Sequence, residues 1–465
     1  MTQTVLRRPV WRRLCTWIGV IVCGALLPPA IHAQPRPAAR STDRQASPPR
    51  PSGLLRQSDR RLLVDRAAVQ AQGIARYESR RLILYTDIPR ERAESLPKLM
   101  DRAYDAWISY CGELPPDRER SEFQMTGYLM SDHDRFRAAG LLPDNLPDFE
   151  HGRHRGQEFW MNDQGSDYYR AHLMLHEGTH CFTTAVDRDL TRSVWFFEGI
   201  AEYFATHRYP NEGPPVFGVW PDQRTAFPLL GRIKLLEEHR ARADTLSMVQ
   251  VARQPPEVYD RPHAYAWAWA LVHFLAEFPE TRDSFRQTVQ RVVRGESHAP
   301  LDQLLSDERR QRLWRWYIAD LCHGYELGRS LPSSKDFELM HELGQEVSVR
   351  ADRGWQSIGV RLQAGQTYRI SARGRVELAS EPRPWISEPA GVSIRYHAGL
   401  PLGRLIGRYW PMDSGSMQDS ETISIGEKEI YSPSEDGVLF VRVNDFWNEL
   451  GDNRGEYAVT VNRDE

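Results

Sequence analysis

The stretch that most constrains this chain is His172-Leu-Met-Leu-His176-Glu177-Gly-Thr-His180. His176 and His180 stand four residues apart, so a helix carries both imidazoles on one face, one turn apart, as two ligands of one zinc ion require. Glu177 is placed to reach a water on that ion and take its proton, because zinc lowers the pKa of such a water toward neutrality. A second apolar run, Val194 to Phe204, reads as another helix and carries Glu198. A carboxylate from that helix completes a His, His, Glu set with a fourth position open, as in catalytic zinc sites. His172, one turn before His176, is not needed for the set and reads as a surface or packing histidine. Glu202, one turn past Glu198, could accept the second ring N–H of a ligand histidine or face solvent.

On these residues the chain resembles the gluzincin superfamily of zinc metallopeptidases. There the HExxH helix is followed by a second helix with the third ligand in a Glu-Gly-x-Ala pattern, here Glu198-Gly199-Ile200-Ala201. The resemblance implies zinc held by His176, His180 and Glu198, with Glu177 as general base and a peptide or protein substrate. It also implies a mixed sheet ahead of the helix, whose edge strand pairs with substrate backbone. The aminopeptidase-like branch places a transition-state tyrosine before an Ala-Leu-x-x-aromatic-Leu run, and Tyr265 holds the matching position in Tyr265-Ala-Trp-Ala-Trp-Ala-Leu-Val-His-Phe-Leu275. A phenol there would donate to the oxyanion. The glycine usual three residues later is Ala268, simple packing is the alternative for an aromatic in such a helix, and His263 is the other candidate for the role. That branch's Gly-x-Met-Glu-Asn is Phe159-Trp160-Met161-Asn162 here, without the glutamate, so amino-terminal exopeptidase action is not implied.

A chain of 465 residues exceeds one domain, and 40% hydrophobic with 26% charged residues is ordinary for a globular protein. A net charge of -3, with the arginines dispersed, gives no reason to expect nucleic acid. Residues 1–33 have a basic opening, an apolar stretch from Leu14 to Leu27 and the ending Ala30-Ile31-His32-Ala33, the form of a secretory signal peptide. The stretch is short for a membrane span, with an uncleaved anchor as the alternative. The expected product is secreted, or periplasmic within the cell envelope, with no transmembrane segment after cleavage. Residues 34–60, rich in Pro and Arg, cannot bury a core and read as a disordered linker. Residues 61–335 form the gluzincin-like domain, with strands at Arg81–Ile88, Phe123–Met130 and Gln157–Asn162, a helix at Arg90–Tyr110, and a helical subdomain between Leu229 and Tyr325. After signal removal Cys111, Cys181 and Cys322 remain, which excludes a disulfide framework but allows one bridge, for instance Cys111 to Cys322. Cys181 reads as a small buried hydrophobe.

From about residue 345 to 465, alternation replaces helical periodicity, as in a β-sandwich. Three stretches resemble the bacterial calcium-dependent galactophilic lectins of the PA-IL type: Gly365 to Gly374, Gly403-Arg-Leu-Ile-Gly407, and Val443 to Gly455. The resemblance implies a jelly-roll or sandwich domain binding Ca2+ through Asp445, Glu449, Asp452 and Asn453, and glycan through the ion. Four hard oxygen donors in one tight loop suit calcium on their own terms, although such a loop can also be merely solvated. The family's sugar-contacting histidine and glutamine are replaced by Ser387-Glu388-Pro389-Ala390. The fold class expected is α+β, a zinc peptidase domain followed by an all-β domain. The function expected is an exported zinc metallopeptidase with a calcium-dependent glycan- or surface-binding domain. The alternatives are a catalytically silent, glycan-directed binding protein of the envelope and a zinc hydrolase of non-peptide bonds. Intact Glu177 favours an enzyme.

Overall fold

The computed structural model describes residues 54–57, 61–297, 299–412 and 422–464; the signal-peptide and linker expectations fall outside them, apart from residues 54–57. The architecture is mixed α+β. A first sheet contains β1 (Ala75–Glu78), β2 (Leu82–Thr86), β3 (Met125–Met130), β4 (Gly152–Arg155) and β5 (Glu158–Asn162), in the order β1-β2-β3-β5-β4. The central strands β2, β3 and β5 are parallel, and both edge strands run antiparallel to their neighbours. The three central strands match the sequence expectation. The two edges were not anticipated: each is four residues long, and β4, Gly-Arg-His-Arg, holds no β-branched or aromatic residue to mark it. The helix expected over Arg90–Tyr110 is broken into Arg90–Ala93 and Leu96–Cys111. Pro97 sits in the first turn of the second piece, where its missing N–H costs nothing.

The helix Asp167–Thr183 carries the motif. Ser166 caps it, its hydroxyl accepting from Tyr169 N–H at 3.0 Å. Every residue from Arg170 to Thr183 is buried, as in a helix with no solvent face. Buried Arg170 is neutralised at the start of the helix by Asp163 and Asp167. Cys181 and Cys111 are free and buried, and Cys322 is free as well, so the bridge left open by the sequence is not formed.

The helix Val194–Ala205 bears Glu198 and Glu202 and crosses the helix Pro262–Glu277, which bears Tyr265. The crossing is at Gly199, where a Cβ would stand 2.6 Å from the carbonyl oxygen of Ala268. Only glycine permits that approach without the backbones moving apart. Between these helices runs a short ribbon of β6 (His207–Arg208) and β7 (Val216–Phe217). Among the described residues no helix is long and apolar enough to cross a membrane.

The C-terminal strands are β8 (Glu346–Arg350), β9 (Gln356–Leu362), β10 (Tyr368–Glu377), β11 (Ile386–Ser387), β12 (Val392–His397), β13 (Leu400–Leu402), β14 (Leu405–Pro411), β15 (Lys428–Tyr431), β16 (Gly437–Val443) and β17 (Arg454–Arg463). They form one sheet ordered β11-β10-β17-β8 with β15 also on β10, a second ordered β14-β16-β9, and a ribbon of β12 and β13. Residues of both sheets, among them Ile370, Leu405, Leu439, Val441 and Val459, share one core. Strand β16 is buried along its whole length. Its Leu439, Val441 and Val443 join that core, while Val438 and Phe440, with Ile406 and Trp410, belong to the core of the helical part. The second sheet is therefore a middle layer. Across this junction Phe440 and Trp410 meet Trp316, and Asp320 accepts two hydrogen bonds of 2.8 Å from Arg408 and one of 2.8 Å from Trp355.

Candidate metal centre

His176 Nε2, His180 Nε2 and Glu198 Oε2 form a near-equilateral triangle with sides of 3.1, 3.2 and 3.3 Å. Ligands about 2.0–2.2 Å from a tetrahedral zinc stand about 3.3–3.6 Å apart, so the triangle is close to the required size. Glu198 Oε2 is buried without a hydrogen-bond partner. One shared proton could serve only one side of the triangle, whereas a single cation at its centre would satisfy all three corner atoms. The donor set of two imidazole nitrogens and one carboxylate suits zinc. Burial opposes ionisation of Glu198, but the His180 and His176 rings outweigh it and hold the carboxyl at about 2.

The surroundings fix the triangle. Glu202 Oε1 lies 3.2 Å from His176 Nδ1, which selects the tautomer whose Nε2 lone pair faces the triangle. The reading of Glu202 as a partner of a ligand ring thus has its geometry, and the solvent-facing alternative does not, since the side chain is 3% exposed. Arg232, which the sequence reading missed, grips Glu202 with two hydrogen bonds of 2.9 Å. It begins the helix Arg232–Ala241 after Gly231, whose positive φ turns the chain into the site. Of the two readings of His172, surface or packing, the structure supports packing: it is buried against Tyr169, 3.4 Å from Glu202 Oε2.

Glu177 faces the edge strand. A Cβ at Gly152 would lie 2.6 Å from Glu177 Oε1, so any side chain there would have to push the carboxylate aside. Burial pushes the Glu177 carboxyl up to about 8, with His176 opposing and Glu198 adding. The other oxygen, Oε2, is 4.0 Å from His154 Nδ1 on the same strand. Asn162 N–H donates to His151 O, so by antiparallel alternation the backbone groups of Gly152 and His154 point to the free edge. The Tyr265 ring centre is 6.0 Å from that of His176. Burial, reinforced by Glu198, Glu202 and Glu177, keeps its phenol protonated, hence a donor. His263, the other candidate, packs against His239, with ring centres 5.1 Å apart.

The loop after β16 is arranged differently. Asp445 is buried and accepts from Asn453 Nδ2 at 3.0 Å and from Phe446 N–H at 2.8 Å. Glu449 pairs with Arg395 at 2.7 Å, and Asp452 is exposed. The buried guanidinium of Arg442 donates to the carbonyl of Asp445 and lies 3.7 Å over the Trp447 ring. The loop thus brings Asp445 and Asn453 together, but Glu449 and Asp452 do not join them. Among the described residues, the groups of three or more acidic, histidine or cysteine side chains with converging ligand atoms are His176, His180, Glu198 and His154, Glu177, His180.

A family model described as a protein of unknown function (DUF1570) matches residues 171–302, from the motif helix past Tyr265. Comparison with the curated proteins returns no match. Among solved structures, a chain titled "EclA N-terminal domain; PllA-like lectin" is similar over 26% of this chain and 95% of its own, at 24% identity and a TM-score of 0.21.

Proposed function

We propose that the chain is an exported zinc-dependent hydrolase of peptide bonds. The observation that carries this reading is the triangle of His176 Nε2, His180 Nε2 and Glu198 Oε2, with sides of 3.1 to 3.3 Å and Glu177 beside it. When bound, zinc supplies a water activated near neutral pH and polarises the scissile carbonyl. Glu177 removes the proton from the attacking water and delivers it to the leaving nitrogen. Tyr265 donates its phenolic hydrogen to the oxygen on which charge develops. Glu202, clamped by Arg232, keeps His176 in the ligating tautomer. The outward backbone groups of Gly152 and His154 can receive an extended peptide as a further strand, which favours peptides over other carbonyl substrates.

A glycan- or surface-directed role for the C-terminal sheets rests on the sequence resemblance, and a calcium ion would need the loop after β16 to rearrange. The test is metal analysis of the purified chain followed by a peptide-library cleavage screen on the parent and on Glu177→Gln. The parent should carry one zinc and cleave. The variant should keep the zinc and lose roughly 10²- to 10⁴-fold in rate. A zinc-free parent, or equal cleavage by both proteins, would overturn the reading.

A further inference from the structure

The second converging group, His154, Glu177 and His180, has no part in the ligand set just described beyond the His180 they share. His154 lies on edge strand β4, with its side chain 20% exposed, so it is reachable from solvent. Its ring stands 4.8 Å from that of His180 and 5.4 Å from Phe197, and its Nδ1 is 4.0 Å from Glu177 Oε2. Ligands of a tetrahedral zinc stand about 3.4 Å apart, so His154 and Glu177, at 4.0 Å, need close by only about 0.6 Å to hold one cation. At 4.0 Å the pair is too far apart for a hydrogen bond.

We propose that His154 and Glu177 form a second, weaker divalent-cation position beside the first, with His180 at its border, and that filling it switches the site off. The inference deepens the zinc-hydrolase reading and rests on it. His180 Nε2 is committed to the triangle, so the second ion has one nitrogen and one carboxylate from the protein, with water completing its shell. Such a set is weaker than the two nitrogens and one carboxylate of the first, so the positions fill in sequence as zinc rises. With its carboxylate ligating a cation, Glu177 cannot take a proton from water. The consequence is inhibition by excess zinc, at a position an edge-strand residue controls.

Equilibrium dialysis of the full-length protein against rising free zinc tests this, with cleavage of a peptide identified in the library screen followed in parallel. The parent should bind one equivalent tightly and a second at least tenfold more weakly, with cleavage falling as the second fills. His154→Gln and Glu177→Gln should each bind the first equivalent as the parent does and lack the second. One tight equivalent with no second overturns this inference alone. So does a second equivalent that survives in His154→Gln, or one that raises the rate. A parent that binds no tight equivalent overturns the zinc-hydrolase reading itself.

Discussion

Two regions of this molecule concentrate metal-type donors, and they organise them in opposite ways. The triangle of His176, His180 and Glu198 stands on two buried helices, each rigid, and their crossing is fixed by packing such as Gly199 against Ala268. Its donors converge and stay unsatisfied. The loop from Asp445 to Asn453 stands on the end of a strand and a single 3-10 turn at Leu450–Asp452. Its donors are spoken for by the protein, Asp445 by Asn453 and Phe446 N–H, and Glu449 by Arg395. The buried charge of Arg442 already sits on the Asp445 carbonyl. A cluster of donors in sequence becomes a site only where the fold leaves converging atoms without partners. In the loop, the buried side-chain atom left in that state is Asn453 Oδ1.

The comparison breaks first on metal content. His180→Ala should abolish stoichiometric zinc, while Asp445→Ala should leave zinc unchanged; elemental analysis of both proteins decides it, and full zinc in the first variant would remove the triangle.

Next in size is the junction that holds the loop region against the helices. Asp320→Ala strands Arg408 in a buried setting and should cost about 3–5 kcal/mol of stability, read by denaturant unfolding. Burial opposes ionisation of Asp320, but Arg408, the Trp355 N–H and Arg442 outweigh it and hold the carboxyl below its ordinary range. A depressed pKa in the folded state gives stability that is present above the unfolded value and lost as pH falls through the folded one. The parent should therefore lose stability on acidification below about pH 4 more steeply than the variant. Parallel curves for the two proteins would show that the pair does not link to folding.

Tyr265→Phe tests whether the ring beside His176 is chemical or merely packed. A rate loss of roughly 10²-fold at unchanged thermal midpoint is expected from loss of one oxyanion donor. A fully active variant would return the tyrosine to the core.

The smallest effect sharpens the other side of the comparison. Thermal unfolding in calcium and in chelator should give the same stability to within about 0.5 kcal/mol, since the loop is already satisfied. A gain near 2.7 kcal/mol at a hundredfold excess of calcium over its dissociation constant would mean that the loop opens into a cation site.

Much of this arrangement was legible in the sequence. Helical periodicity puts His176 and His180 on one face whatever surrounds them, and the apolar run around Glu198 demanded a buried second helix, so the placement of all three triangle residues followed from local rules. The central strands and the change to alternation near Val347 were readable for the same reason. What the tertiary structure alone decided lies between segments distant in the chain. Arg232 reaches Glu202 across thirty residues, and His154 meets Glu177 from a strand too short and too polar to be marked by propensity. The four oxygens after β16 are close in sequence, yet where they point depends on Arg442, Arg395 and a packed junction. Likewise Gly437 to Val443 is a near-continuous apolar run that suits a strand covered on both faces, but only the structure shows that the helix Glu308–Asp320, through Trp316, covers the second. Local periodicity fixes direction within an element, and only the packing of elements fixes which atoms meet.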